Sequence, residues 1–212
     1  MKIKVLCSGF EPFGGLEVNP TVQLVKELEE EQPWAHIELK SIELPVVYET
    51  CAQSLLEAIE KEKPDIIISC GLAYGRSAIS LERIGINIQD TKGEGEKGDN
   101  TGEKPVDKPI HMNGPDGLFS TLPLRKMLEA LQQNGIPAEI SNTAGTYICN
   151  TTLYQVLYFL REKEITAKAG FIHFPAIPEM TLDRPHLPSM TFTYQKKALM
   201  VAVQAAAEGY YR

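Results

Sequence analysis

The chain has no CxxC pair and no clustered cysteines: Cys7, Cys51, Cys70 and Cys149 stand far apart along 212 residues. Such spacing supports neither a zinc site nor a disulfide framework, so four reduced thiols and no metal are expected. No window reaches the roughly 18 apolar residues that a membrane helix requires. The opening MKIKVLCSGF turns from apolar to Gly-Phe too soon for a secretory signal. A cytoplasmic protein without a membrane partner is the resulting expectation. Positive charge is scarce and scattered, with 21 Lys and Arg against 28 Asp and Glu and a net charge of -7. Phosphate recognition needs a concentrated basic patch, so no nucleic-acid partner is expected. No internal repeat divides the chain.

What the chain does contain is a steady alternation of strand and helix patterns. IKVLCSGF at residues 3–10 reads as a buried strand, and NPTVQLVKELEEE from Asn19 has the cap and periodicity of a helix. HIELKSIELP alternates like a strand, YETCAQSLLEAIEKEK is amphipathic, and PDIIISCGLA is a continuous apolar run typical of a central parallel strand. RIGINIQD offers a further strand. Residues 91–117, rich in Gly, Pro and charge, read as a polar loop. Beyond it the alternation resumes with TLPLRKMLEALQQNGIPAEISNT, then AGFIHFPAIP as an apolar strand and TYQKKALMVAVQAAAE as a closing helix. The loop is therefore read as an insertion within one α/β domain covering residues 1–212, a mostly parallel or mixed twisted sheet with helices on both faces. In such folds functional groups gather at the carboxyl ends of strands, which directs attention to SGFEPFGG, SCGLAYG and FIHFP.

SNTAGTYICNTTLYQVLYFL, residues 141–160, supplies the chemistry. The segment after Cys149 is apolar on nearly every face and reads as a buried helix, which places the thiol in its first turn. Unpaired N–H groups and the positive end of the helix dipole favour a thiolate there and could hold an oxyanion. By position alone, Cys149 reads equally well as a small core residue. A partner shifts that balance. His36 starts a strand, His111 lies in the polar loop and His186 in a Pro-rich run, whereas His173 ends a strongly apolar strand and can serve as general base. Glu82, embedded in ISLERIGIN where a surface glutamate would be out of place, is the choice to orient the imidazole. Its alternative reading is a plain ion pair with Arg83. Cys70, at the end of a central strand with no evident helix after it, is the rival nucleophile and reads better as core.

SGFEPFGG, ISLERIGIN, DNTGEKPVDKPI, SNTAGTYICN and GFIHFPAIPEM, in this order and at this spacing, resemble the pyroglutamyl peptidases over residues 3 to about 205. These are cysteine peptidases that remove an amino-terminal pyroglutamate. The resemblance implies Cys149 as nucleophile, His173 as base and Glu82 as orienting acid. It also implies that Phe10 and Phe13 hold the pyroglutamyl ring, that Ile148 forms a pocket wall and that Asn19 is a polar group near the pocket. No cofactor, a cytosolic location and a homotetramer follow from the same resemblance. A neutral lactam suits an apolar aromatic slot, whereas an ordinary amino terminus would bury an unpaired ammonium. Taken without the resemblance, Phe10 and Phe13 read as core packing. The chain departs from the family at Leu72, often glutamine, and at Tyr74, usually small. Gly85 and Ala176 replace a common alanine and a frequent tyrosine, Lys92 stands where many members carry arginine, and residues 91–98 are longer than usual. Two other functions fit the residues: a related amidase with different acyl specificity, and a non-catalytic α/β protein using GFEPFGG as a ligand loop. The latter lacks the GxGxxG or GxxxxGK spacing of a phosphate cradle.

Overall fold

The chain alternates between strands of one sheet and helices laid on either side of it. In the computed structural model, which describes residues 2–92 and 97–210, the first half runs β1 (Ile3–Phe10), α1 (Pro20–Glu31), β2 (Ile37–Leu44), α2 (Cys51–Glu62) and β3 (Ile66–Leu72). Then come β4 (Ile79–Glu82), β5 (Ile84–Ile86), β6 (Gly117–Phe119), α3 (Leu124–Gln133) and β7 (Ala138–Ser141). The last elements are α4 (Ile148–Glu162), β8 (Lys168–Phe174), a 3-10 turn at Pro178–Thr181 and α5 (Phe192–Tyr210). Six strands form a sheet in the order β2-β1-β3-β8-β4-β7, parallel throughout except where β4 meets β8. That one antiparallel pairing makes the sheet mixed. Among the described residues no helix is long and apolar enough to cross a membrane.

Alternation along β1 sends its side chains to two separate cores, as strand geometry requires. Ile3, Val5 and Cys7 pack with Leu24 and Leu28 of α1 and Leu199 and Val203 of α5. Leu6 and Phe10 join Leu55 and Ile59 of α2 and Leu153 and Leu157 of α4 on the other face. Each fully buried aliphatic side chain contributes about 1.5–3 kcal/mol. The two faces together account for the three layers.

Local chemistry fixes the helix that follows β1. Asn19 caps α1: its Oδ1 accepts the Thr21 N–H at 3.2 Å and the Thr21 hydroxyl at 2.8 Å, with Pro20 at the first helical position. The helix start presses directly on the sheet at Gly9, where a Cβ would lie 2.5 Å from the carbonyl of Thr21 and from Val22 N. Backbone cannot yield as a flexible side chain does. Gly9→Ala is therefore expected to destabilise the protein by about 2 kcal/mol or more, read as a lower urea midpoint with an unchanged slope. An unaltered midpoint would show that α1 shifts freely.

The strand expected over RIGINIQD is confined to Ile84–Ile86, paired with β6 in a two-stranded ribbon. Side chains take over the backbone groups beyond it. Asn150 Oδ1 accepts the Ile86 N–H and its amide donates to Ile86 O and Ile88 O at 2.9–3.0 Å. Asn87 accepts from His111 N and donates to His111 O, both at 2.8 Å. The described parts of residues 91–117 hold one isolated β-bridge, between Gln89 and Lys108, and no helix or strand until Gly117.

Candidate active site

Helix α4 carries Cys149 at its second position. Tyr147 caps the helix in extended conformation without a side-chain bond, and the first N–H bonded back within the helix is that of Thr151, to Tyr147 O at 3.1 Å. The turn before it is pinned at Thr146, whose carbonyl accepts Asp90 N–H at 3.0 Å and whose hydroxyl donates to Asp90 O at 2.8 Å. Fully buried Asn150 binds the same turn of α4 to the 86–88 backbone. Gly85 lets the helix come close, since a Cβ there would sit 2.9 Å from Tyr154 N.

The sulfur lies over the carboxyl end of β3. A Cβ at Gly71 would approach Cys149 Sγ to 3.0 Å and the Phe171 ring to 2.7 Å. Register pairs Gly71 with His173 across β3 and β8, so the sulfur stands above the residue beside the histidine. Only a glycine leaves that space open. Gly71→Ala is expected to displace the sulfur and lower kcat about tenfold or more, and to lower the unfolding midpoint as well because the buried Phe171 ring must also give way. Wild-type kcat in that variant would show that the approach is immaterial.

His173 is 4 % exposed, and its Nδ1 bonds Glu82 Oε1 at 2.7 Å. Glu82 is wholly buried, and the same oxygen accepts Arg76 Nη1 at 2.7 Å. Burial opposes its ionisation, but the hydrogen bond and charge of His173, the Ser141 hydroxyl and the Arg76 guanidinium outweigh that, holding its carboxyl below the usual range. An ionised Glu82 fixes a proton on Nδ1 and leaves Nε2 to accept. Arg76 also donates to Thr143 O at 3.2 Å, tying the acid to the segment leading into α4. Arg83, the partner considered from sequence, instead donates to Asn142 Oδ1 at 2.8 Å.

The other thiols are enclosed. Cys7, Cys51 and Cys70 are fully buried, whereas Cys149 is partly exposed. Burial pushes all three thiols up, Cys51 to about 12 despite its bond to the Thr152 hydroxyl, and the proximity of Cys7 adds to the effect on Cys70. His36 and His186 are exposed, and the His111 ring stacks on Tyr158 with centroids 4.1 Å apart. Among the described residues no group of three or more His, Cys, Asp or Glu could hold a metal ion.

A cleft of about 230 Å³, including the space at its mouth, ends at Cys149 and is lined by Phe10, Phe13, Asn19 and Ile148, with Val46, Leu72 and Tyr147 completing it. The structure thus brings all four expected pocket residues to the sulfur. Phe10 is buried against Phe171, centroids 6.1 Å apart, while half-buried Phe13 leans toward Tyr147 at 6.3 Å. Asn19 has little left to offer a ligand, because its oxygen caps α1 and its amide donates to Glu11 O at 3.2 Å. Sequence reading missed Val46, Tyr147, Gly71 and Arg76. Tyr147 and Gly71 stand inside the segments singled out above and Arg76 directly follows one of them, but Val46 carries no signal beyond following a strand.

The departures from the family pattern have definite places. Leu72 adds to the apolar lining. Tyr74 donates its hydroxyl to Met180 O at 2.7 Å, Ala176 is buried, and Lys92 is exposed. Of the long stretch 91–98, residues 93–96 lie outside the described residues.

An imidazole bonded to a buried carboxylate, on the strand next to the glycine over which a helix-opening cysteine lies at the end of an apolar slot, fits the chemistry of a thiol hydrolase on an α/β scaffold. The sequence model of the pyroglutamyl peptidases matches residues 3–209. A pyrrolidone-carboxylate peptidase of Lactobacillus johnsonii is 43% identical over 207 residues, which cover 97% of this chain and 93% of that one. The crystal structure of pyroglutamyl peptidase I from Bacillus amyloliquefaciens superposes with a TM-score of 0.92 at 38% identity, covering 98% of this chain and 96% of that one. A mutant pyrrolidone carboxyl peptidase of Pyrococcus furiosus gives 0.92 at 41%, covering 98% and 99%. The chain belongs to the pyroglutamyl peptidase family, cysteine peptidases that are hydrolases.

Proposed function

We propose that the chain hydrolyses the bond after an amino-terminal pyroglutamyl residue, with Cys149 as nucleophile, His173 as general base and acid, and Glu82 as the group that orients and charges the base. The observation that carries this reading is the 2.7 Å bond to the wholly buried Glu82 from His173, which lies on the strand next to the glycine beneath the Cys149 sulfur. His173 takes the thiol proton, and the sulfur attacks the acyl carbonyl carbon. The opening turn of α4 puts N–H dipoles where the oxyanion forms. The tetrahedral adduct collapses to a thioester as His173 protonates the departing amine. A water then gives its proton to His173 and attacks the thioester, releasing pyroglutamate and the thiol. No cofactor enters these steps.

Phe10, Phe13, Val46, Leu72, Tyr147 and Ile148 offer the lactam ring an apolar slot, with Asn19 at its edge. An amino-terminal ammonium would lose its hydration there without a carboxylate to meet it. Purified protein is expected to cleave a pyroglutamyl reporter amide and to leave prolyl and free-glutamyl reporters at least about 100-fold behind in kcat/KM. Equal cleavage of the three would point to the related amidase, which Leu72 in the lining favours, and cleavage of none would remove the peptidase reading. The same reading takes the chain as one peptidase domain with residues 91–117 as an excursion from it. It places the enzyme in the cytoplasm as a homotetramer, by likeness to the family.

A further inference from the structure

Glu11 stands between the two phenylalanines of the slot, and its polar groups bond the end of β2 and the residues after it, the start of α1 and Asn100. Its N–H donates to Leu44 O at 3.0 Å, at the end of β2. Its carbonyl accepts the Asn19 amide at 3.2 Å, at the start of α1. Its carboxylate Oε1 accepts two bonds, from Val46 N–H at 2.9 Å and from Asn100 Nδ2 at 2.7 Å. Asn100 closes the circuit: its N–H donates to Val46 O at 2.9 Å and its amide also reaches Pro12 O at 3.0 Å. The backbone of Val46, a wall of the slot, is therefore held at both its N–H and its C=O.

The loop that supplies Asn100 is itself anchored. Asp99 Oδ2 accepts Tyr48 N–H at 2.9 Å, and Oδ1 accepts Thr101 N–H at 2.9 Å, the Thr101 hydroxyl at 2.7 Å and Glu103 N–H at 3.0 Å. Gly98 O accepts the Tyr147 hydroxyl at 2.8 Å, which joins another lining residue of the slot to the same loop. Three chain segments carrying Phe13, Val46 and Tyr147 thus converge on residues 98–100, where Asn100 shares one Glu11 oxygen with Val46 N–H.

We propose that Glu11 and Asn100 form a pin that sets the width of the acyl slot, with Glu11 as a positioning residue for the pyroglutamyl ring. The inference rests on the peptidase reading of the site. Neither residue lines the slot. They act through the wall, holding Val46 in place before any substrate arrives. A flat lactam gains from a slot whose spacing is fixed in advance, since less motion must be frozen on binding. Cys149, His173 and Glu82 are outside this circuit, so loosening it weakens binding and leaves the chemical step nearly intact.

The geometry separates shape from charge. Both side-chain bonds of Glu11 end on one oxygen, which a glutamine can also present, so Glu11→Gln is expected to keep KM within about twofold. Glu11→Ala removes that oxygen and is expected to raise KM for a pyroglutamyl reporter about tenfold or more with kcat within about threefold. Asn100→Asp sets two carboxylates against each other and is expected to match Glu11→Ala. Asn100→Ala, at an exposed loop position, carries the test should Glu11→Ala fail to fold. A wild type inactive on pyroglutamyl reporters overturns the functional reading itself. With an active wild type, the pin is overturned by unchanged KM in the alanine variants, by kcat falling in place of KM, or by Glu11→Gln proving as damaging as Glu11→Ala.

Discussion

Cys149→Ala is expected to lower cleavage of a pyroglutamyl reporter amide by about 10⁴-fold or more while leaving the thermal midpoint within a few degrees of wild type. The size of the first effect follows from chemistry. Without the sulfur no thioester forms, and no other thiol lines the slot, because Cys7, Cys51 and Cys70 are sealed in the cores with their thiols pushed up by burial. The small size of the second follows from packing. Cys149 is partly exposed at the helix opening, and its removal leaves the Asn150 clamp on residues 86–88 in place. Cys149→Ser tests nucleophilicity more narrowly, since the hydroxyl keeps the shape and lacks the acidity. Activity within tenfold of wild type in either variant would remove Cys149 from the mechanism.

Glu82→Gln is expected to reduce kcat by about 10²–10³-fold with KM little changed. The amide oxygen can still face His173 Nδ1 and Arg76 Nη1, so the geometry survives and the charge alone is lost. That charge stabilises the imidazolium formed when Cys149 gives up its proton. Stability responds too. With the carboxyl of Glu82 held below its ordinary value in the folded chain, its contribution is fully present above the unfolded value, roughly pH 4.3, and disappears as pH falls through the folded value. Glu82→Gln should therefore lower stability at neutral pH by about 2 kcal/mol and flatten the acid side of a stability-versus-pH curve. Urea melts at pH 3–7 measure both. A variant with full kcat and an unaltered acid slope would reduce Glu82 to a structural ion pair.

Much of this arrangement was legible in the residues themselves. Asn19 followed by Pro20 announces the start of α1, and a histidine at the end of the apolar run AGFIHF announces a group delivered to a sheet edge. Glu82 stood out because apolar neighbours surrounded it. The alternative ion pair with Arg83 does not form, for a physical reason: successive strand side chains point to opposite faces, so Arg83 is carried away from Glu82 and bonds Asn142. Arg76, six residues earlier, returns across the turn before β4 and meets the carboxylate. Strand β4 itself, four buried residues long, is too short to show an alternation. Nor does any local pattern reveal that β4 runs antiparallel to β8, the pairing that sets Ser80 opposite His173 and brings Glu82 within reach of its ring. Gly71 and Glu11 lie in segments that read from sequence as a strand end and a glycine-rich loop. Their roles depend on what lies across the sheet, which one segment of sequence does not contain.

The thioester itself offers the most direct test of the thiol mechanism. Wild-type protein mixed with excess pyroglutamyl reporter, quenched in acid within milliseconds and digested, is expected to carry one pyroglutamyl group on the peptide containing Cys149, and the adduct should vanish once substrate is exhausted. Steady turnover with the label on Cys70 or another residue, or with Cys149 never acylated at any quench time, would contradict it.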